Sequence, residues 1–146
     1  MTAETPAVLA GAVNQLMRDM VLLLRRVSSE LPVTAPQLAV LGSLLTGSRR
    51  MSDLSAEHGV RMPTMTAQVN RLERDGLAIR GRDSSDARVV TVALTDAGRE
   101  ALATGRAHRL DYLTERLSGL TPEDREAIAA AIPALSRMTK GAPSDE

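Results

Sequence analysis

The spacing of apolar residues changes its period along this chain, and no other sequence feature limits the possible folds more. Over residues 6–31 and 34–72, apolar side chains recur every three or four positions, which is the period of an amphipathic α-helix. Between Leu77 and Leu94 they recur at every second position, which is typical of β-strands. The helical period returns after Thr95. The sequence therefore predicts a mainly α fold with one small β-hairpin.

The composition excludes several classes of protein. The 146 residues include 18 basic and 18 acidic side chains, so the chain is neither a histone-like basic polymer nor an acidic tail. The chain has no Cys, which excludes disulfides, thiolate metal sites and cysteine nucleophiles. Because Tyr112 is the only aromatic residue, the core must be built from Leu, Val, Ile, Met and Ala.

The sequence predicts neither a targeting segment nor a membrane segment. The N-terminus lacks the basic start and following apolar run of a signal peptide. The most apolar stretch, residues 20–24, is bounded by charged residues and is far shorter than the ~20 residues that cross a bilayer. We therefore expect a cytoplasmic protein with no membrane partner.

Caps and helix-breaking residues predict where the helices begin and end. Thr34 with Gln37 has the pattern of a capping box. Ser52 is expected to cap a short helix that follows a single-residue strand at Met51. Pro133 is expected to kink or interrupt the last helix. The predicted helices cover residues 6–31, 35–46, 53–58, 63–75, 96–118 and 122–138, and the predicted flexible termini are residues 1–5 and 139–146.

Three motifs in a fixed order carry a resemblance to a known family. A helix end of the form R-L-E-R-x-G-L is followed by Asp-x-Arg in the hairpin loop and then by L-T-x-A-G. Residues 64–102 thereby resemble the MarR family of bacterial transcription regulators, and residues 33–44 are similar to its second helix. The resemblance implies a winged helix-turn-helix domain over residues 34–95, flanked by dimerisation helices at 6–31 and 96–138.

The helix over residues 63–75 combines a packed face with a polar face that suits the major groove of DNA. Met65, Val69 and Leu72 are expected to face the core. The resemblance implies that Arg88 reaches the minor groove or its phosphates while Asp86 braces the loop. The predicted DNA-binding residues are Pro63, Thr64, Thr66, Gln68, Asn70, Arg71, Arg74, Arg80, Arg82, Asp86 and Arg88.

Other charged residues carry less information about function. Residues 47–88 contain eight Arg and six acidic side chains, a local excess of +2 that favours nucleic acid. Within this segment Arg49 and Arg50 are interpreted as solubility charges. His58 and His108 are too isolated to predict a metal site. The sequence contains no catalytic or cofactor-binding motif, so we predict neither an enzyme nor a cofactor.

These patterns predict a sequence-specific DNA-binding transcription regulator. The resemblance implies a ligand-responsive repressor that acts as a homodimer on a pseudo-palindromic operator of double-stranded DNA. It also implies a small organic anion or drug-like ligand between the dimer helices and the winged domain. An alternative is a winged-helix module that contacts proteins and does not bind DNA specifically.

Overall fold

The computed structural model of this chain describes residues 5–140. Over this range the protein is mainly α-helical with one three-stranded antiparallel sheet, so the predicted fold class is confirmed. The sheet has the strand order β1-β3-β2. The elements are α1 (Pro6–Ser28), α2 (Ala35–Ser43), β1 (Arg49–Arg50), α3 (Met51–Glu57), α4 (Met62–Arg74), β2 (Ala78–Arg82), β3 (Val90–Leu94), α5 (Asp96–Ser118) and α6 (Pro122–Lys140).

The core of the winged domain is aliphatic, as the composition predicted. Helices α2, α3 and α4 pack together and against the sheet, which buries one side of each helix. The side chains of Leu41, Leu54 and Val92 are completely inaccessible to solvent, as are those of Val69 and Leu72 on α4. This packing holds α4 by one face only and leaves its other face exposed.

Several predicted caps form hydrogen bonds of the expected kind. In the capping box the backbone N–H of Thr34 donates to Gln37 Oε1 at 2.9 Å, and the backbone N–H of Gln37 donates to Thr34 Oγ1 at 3.3 Å. Thr95 Oγ1 accepts from the backbone N–H of Gly98 at 3.0 Å at the start of α5. Gly76, which follows α4, has a φ of +74°, a conformation that glycine adopts without strain.

Some predicted boundaries are wrong near the short elements. The strand before α3 is Arg49–Arg50, because these two residues pair with Val92 and Thr91 of β3. Met51 instead begins α3, and Ser52 is not its cap. Helix α1 ends at Ser28 and not near residue 31, and α2 ends at Ser43 and not next to Gly47.

The predicted inward face of β2 is also wrong. The alternation of Leu77 and Ile79 with polar or exposed residues predicts that Ile79 points inward, but 57% of its surface is exposed, whereas only 3% of Ala78 is exposed. Pairing with β3 sets the face, because cross-strand partners lie on the same side of a sheet. Ala78 pairs with Leu94, and Arg80 pairs with the buried Val92. The side chain of Arg80 is therefore on the inner face of the wing.

Helix α6 runs without interruption through Pro133 to Lys140. The expected interruption is wrong, because a proline removes one N–H donor and a helix can continue on both sides of it. Thr139 and Lys140 are helical, so they do not belong to a flexible tail. Thr5 is the N-cap of α1. The remaining residues of the predicted flexible termini, 1–4 and 141–146, lie outside the described residues.

The chain divides into two compact units, and the division falls after Arg109, within α5. The first half of α5 therefore belongs to the same unit as the winged domain. Gly98, Leu102 and Gly105 are its buried residues. The second unit contains the rest of α5 and α6, and α6 has no buried residue.

Helix α1 is long and apolar enough to cross a membrane, judged by length and composition alone. An 18-residue window within it has a mean hydropathy of 1.4, and none of this window is buried. The expectation that every apolar stretch is too short to cross a bilayer is therefore wrong for this helix. Arg18 and Asp19 interrupt the apolar residues, but the mean hydropathy of the window stays high. An interface helix of a soluble protein can have the same average, so this property does not by itself indicate a membrane protein.

Candidate nucleic-acid interface

Helix α4 has one buried face and one exposed face. Met65, Val69 and Leu72 are at most 1% exposed and anchor the helix on the core. Of the predicted DNA-binding residues on α4, Thr66 and Gln68 are half-buried at the margin of the packed face. The oxygen Oε1 of Gln68 is buried without a hydrogen-bond partner. The exposed members of the predicted set on α4 are Pro63, Thr64, Asn70, Arg71 and Arg74.

The turn before α4 fixes the direction of the helix. Gly59 has a φ of +62°, which allows the chain to reverse after α3. The buried Ser55 donates from Oγ to the carbonyl oxygen of Val60 at 2.6 Å, and the backbone N–H of Val60 donates to the Ser55 carbonyl at 3.1 Å. These two bonds close the turn, and α4 then begins at Met62.

The loop of the wing is organised by a carboxylate that the sequence analysis missed. Asp83 Oδ1 accepts hydrogen bonds from Ser85 Oγ at 2.6 Å and from the backbone N–H of Ser85 at 2.8 Å. Asp83 Oδ2 accepts from Arg50 Nε at 2.8 Å. The bonds from Ser85, followed by that from Arg50, hold the pKa of Asp83 far below its ordinary value. One carboxylate therefore shapes the loop and attaches it to β1.

Asp86 and Arg88 are brought together at the tip of the wing. Arg88 donates to Asp86 through Nε and through Nη2, each at 3.2 Å, and its backbone N–H donates at 3.0 Å. These bonds lower the pKa of Asp86. The side chain of Arg88 is nevertheless 91% exposed, so its guanidinium is oriented by Asp86 and still accessible to a partner.

Arg80 is bonded to α4 and does not extend into solvent. Its Nη2 donates to Asn70 Oδ1 at 2.6 Å, and its Nη1 lies 3.4 Å from Glu73 Oε1. The backbone N–H of Arg80 also donates to Glu73 Oε2, at 3.1 Å. Arg82, at the end of β2, is exposed. The two arginines that were predicted together therefore differ in their surroundings.

Sequence comparison identifies the family. A model of the MarR family matches residues 33–90. The HTH-type transcriptional repressor MdtR of Bacillus subtilis is 31% identical over 115 residues, which cover 78% of this chain and 72% of that protein. The chain belongs to the MarR family. It is a DNA-binding transcription regulator with a winged helix-turn-helix fold, as the sequence analysis predicted.

Solved structures share this fold over nearly the whole chain. The transcriptional regulator BldR from Sulfolobus solfataricus superposes with a TM-score of 0.73 and 26% identity, covering 90% of this chain and 94% of that one. Streptococcus pneumoniae FabT, which was crystallised in complex with DNA, gives a TM-score of 0.70 at 17% identity, covering 93% and 98%. The second likeness shows the fold alone.

The arginines of β1 are structural in this MarR-family regulator, so their interpretation as solubility charges is wrong. Arg50 attaches the wing through Asp83, and Arg49 Nη2 pairs with Glu57 Oε2 of α3 at 2.7 Å. Burial alone would raise the pKa of Glu57, but hydrogen bonds from Ser43 and from Arg49 lower it below its ordinary value. Motif reading missed these pairs because neither lies within one element: Arg49 and Glu57 are in β1 and α3, and Arg50 and Asp83 are 33 positions apart.

The two histidines have separate structural partners in the regulator. The nitrogen Nε2 of His58 lies 2.9 Å from Ser43 Oγ. The nitrogen Nε2 of His108 lies 2.9 Å from the carbonyl oxygen of Val27 and connects α5 to α1. Within residues 5–140, no group of three or more potential metal ligands occurs.

Proposed function

We propose that this regulator is a homodimeric repressor that places α4 in the major groove of a pseudo-palindromic operator and the wing in the minor groove. The observation that carries the proposal is the pair of exposed basic surfaces on one rigid domain. Arg71 and Arg74 lie on the exposed face of α4, and Arg88 is 91% exposed at the wing tip. A helix with short polar side chains fits the major groove, and a guanidinium fits the minor groove.

Exposed apolar helix faces support the dimer. On α1, Leu16 is 49% and Met20 is 53% exposed. On α6, Ile132 is 53% exposed. Contiguous exposed apolar faces on helices are typical of subunit interfaces. Packing against a second copy of α1 would bury its apolar residues, so the composition of this helix does not require a membrane. A regulator that binds an operator acts in the cytoplasm. Two copies of α4 would then contact half-sites about 10 base pairs apart.

A cavity supports the response to a small ligand. It has a volume of about 240 Å³ and lies between the α1–α2 connection, Leu38 of α2, and α5. Its lining is aliphatic except for Glu100 and Thr104, and no basic residue contributes to it. A carboxylate in such a site attracts cations and repels anions. The resemblance implies either an organic anion or a drug-like ligand, and the Glu100 carboxylate favours the second. The expected ligand is a small organic cation with apolar groups that fit the aliphatic lining.

Benzyltrimethylammonium is a suitable probe of the cavity. We expect it to raise the melting temperature of the regulator, whereas benzoate should not, because a ligand that binds only the folded state stabilises that state. The Glu100→Gln variant keeps the shape of the side chain and removes its charge, so it should lose most of the shift. Equal shifts with benzoate, or an undiminished shift in Glu100→Gln, would contradict the cationic ligand.

Binding to DNA from upstream of its own gene tests the DNA-binding mode of the repressor. We expect the logarithm of the association constant to fall linearly with the logarithm of the salt concentration, because contacts with DNA phosphates release counterions. Arg88→Ala should weaken binding by about 1–3 kcal/mol at fixed salt without dissociating the dimer. Arg137→Ala, which removes the same charge from α6, is the matched control and should bind as the wild type does.

The same titration distinguishes the alternative function. A module that only contacts proteins would bind this DNA no better than it binds unrelated DNA. An Arg88→Ala dimer with an unchanged dissociation constant would show instead that the wing does not reach the operator.

A further inference from the structure

We propose that Asn70 recognises guanine in the operator, because Arg80 holds the carbonyl oxygen of the Asn70 side chain and leaves the amide N–H groups for DNA. The inference rests on the proposed placement of α4 in the major groove. It assigns to one residue a base preference that neither the family nor the sequence motif specifies.

The orientation of the Asn70 amide is unambiguous. Arg80 Nη2 lies 2.6 Å from the amide atom that faces it. A guanidinium has only donors, so that atom must be the acceptor Oδ1 and the amide nitrogen must lie on the other side. The contact joins a charged donor to a carbonyl, which makes it stronger than a hydrogen bond between neutral groups.

Arg80 is itself held in place. Its Nη1 lies 3.4 Å from Glu73 Oε1, and its backbone N–H donates to Glu73 Oε2 at 3.1 Å. Its side chain is 31% exposed, and β2 pairs Arg80 with the buried Val92. Turning Oδ1 of Asn70 toward a base would therefore leave a half-buried guanidinium with fewer acceptors. Such a loss of a partner costs more than an exposed hydrogen bond gains.

Asn70 is on the exposed side of α4. The buried face is centred between Met65, Val69 and Leu72. At 3.6 residues per turn, Asn70 lies about 130° around the helix from that centre. Asn70 is exposed and precedes the exposed Arg71. The amide nitrogen of Asn70 is therefore among the groups that face the groove when α4 enters it.

The available N–H groups match one base better than the others. An asparagine that reads adenine uses Oδ1 and Nδ2 together on the same base edge, with N6–H as donor and N7 as acceptor. In Asn70 the oxygen is directed at Arg80 of β2, and only N–H donors remain. Guanine presents two acceptors, N7 and O6. Cytosine presents a donor, and thymine presents one acceptor, O4, beside a methyl group. Guanine is the base that two N–H donors satisfy.

A binding-site selection with the full-length dimer tests this assignment. The position read by Asn70 is the one whose base preference changes in Asn70→Asp. We expect the wild type to prefer guanine over adenine there by about tenfold. In Asn70→Asp one carboxylate oxygen still accepts from Arg80 and the other faces DNA, so the preference should move to cytosine, which offers N4–H. In Arg80→Ala the amide is released and the preference should move to adenine.

Arg137→Ala is the control, because it removes an exposed arginine from α6, outside the predicted DNA-binding residues, and leaves Asn70 and Arg80 bonded. Its preference should equal that of the wild type. Two results would overturn the guanine assignment and leave the proposed function standing. One is a wild type that selects adenine at this position. The other is specific DNA binding in which Asn70→Asp alters the base preference at no position. A wild-type dimer that enriches no sequence would overturn the proposed function together with the guanine assignment.

Discussion

Replacing Leu16 and Met20 with glutamate should convert this regulator into a folded monomer that has lost about 10²–10⁴-fold of its operator affinity. Both side chains are on the apolar face of α1 and are about half exposed, at 49% and 53%. Two charges buried in a subunit interface without partners would destabilise it strongly. The winged domain should survive, because its core contains neither residue. A monomer has one copy of α4 and therefore loses the gain from two linked half-sites.

Sedimentation analysis and operator titration measure the two parts of this prediction. Asn14→Glu is the control, because Asn14 is exposed on the opposite side of α1 and the substitution places one glutamate there. It should remain dimeric and bind normally. A double variant that stays dimeric at micromolar concentration would contradict the role of α1, and a monomer with full affinity would contradict cooperative use of two half-sites.

Gly98→Ala should lower the free energy of unfolding by about 3 kcal/mol, the upper part of the range for overpacking a core. A Cβ at this position would collide with the carbonyl oxygen of Leu77 and would approach Leu94 Cδ2 to 3.1 Å. Backbone atoms cannot move aside as the end of a side chain can. The start of α5 is also tied to the end of α4, because Thr95 Oγ1 donates to the Gly76 carbonyl at 2.6 Å. The added methyl group therefore separates α5 from the base of the wing.

Urea unfolding at a fixed protein concentration measures this loss, since the stability of a dimer depends on concentration. Gly42→Ala is the matched control. Its Cβ would meet only the end of the Arg106 side chain, at 3.6 Å, which is an ordinary contact. Alanine is also the better helix former, so Gly42→Ala should be neutral or stabilising. If the two variants have the same midpoint, the close approach of α5 to Leu77 does not matter for stability.

The candidate site divides into a part that the sequence predicted and a part that it did not. The buried face of α4 follows from apolar spacing, and the packing of Met65 and Leu72 agrees with it. The pairing of Asp86 with Arg88 is local, so the motif was sufficient to indicate it. Arg50 and Asp83 are 33 positions apart, and nothing in their own segments marks them as partners. Their roles became visible only when β1 was placed beside β3.

The sequence by itself determined the periods, the caps of α2 and α5 and the family, because each depends on short motifs that can be recognised without knowing how distant segments pack. Thr34 caps α2 and Thr95 caps α5 wherever those helices lie. The tertiary structure decided the face of β2, the three hydrogen bonds of Arg80 to α4 and the close approach at Gly98. The physical reason is that hydrophobic burial favours many arrangements of the same helices and strands, whereas strand pairing fixes which side chains meet. Pairing with β3 turns Arg80 inward and Ile79 outward, and the chemistry that Asn70 presents to DNA follows from that choice.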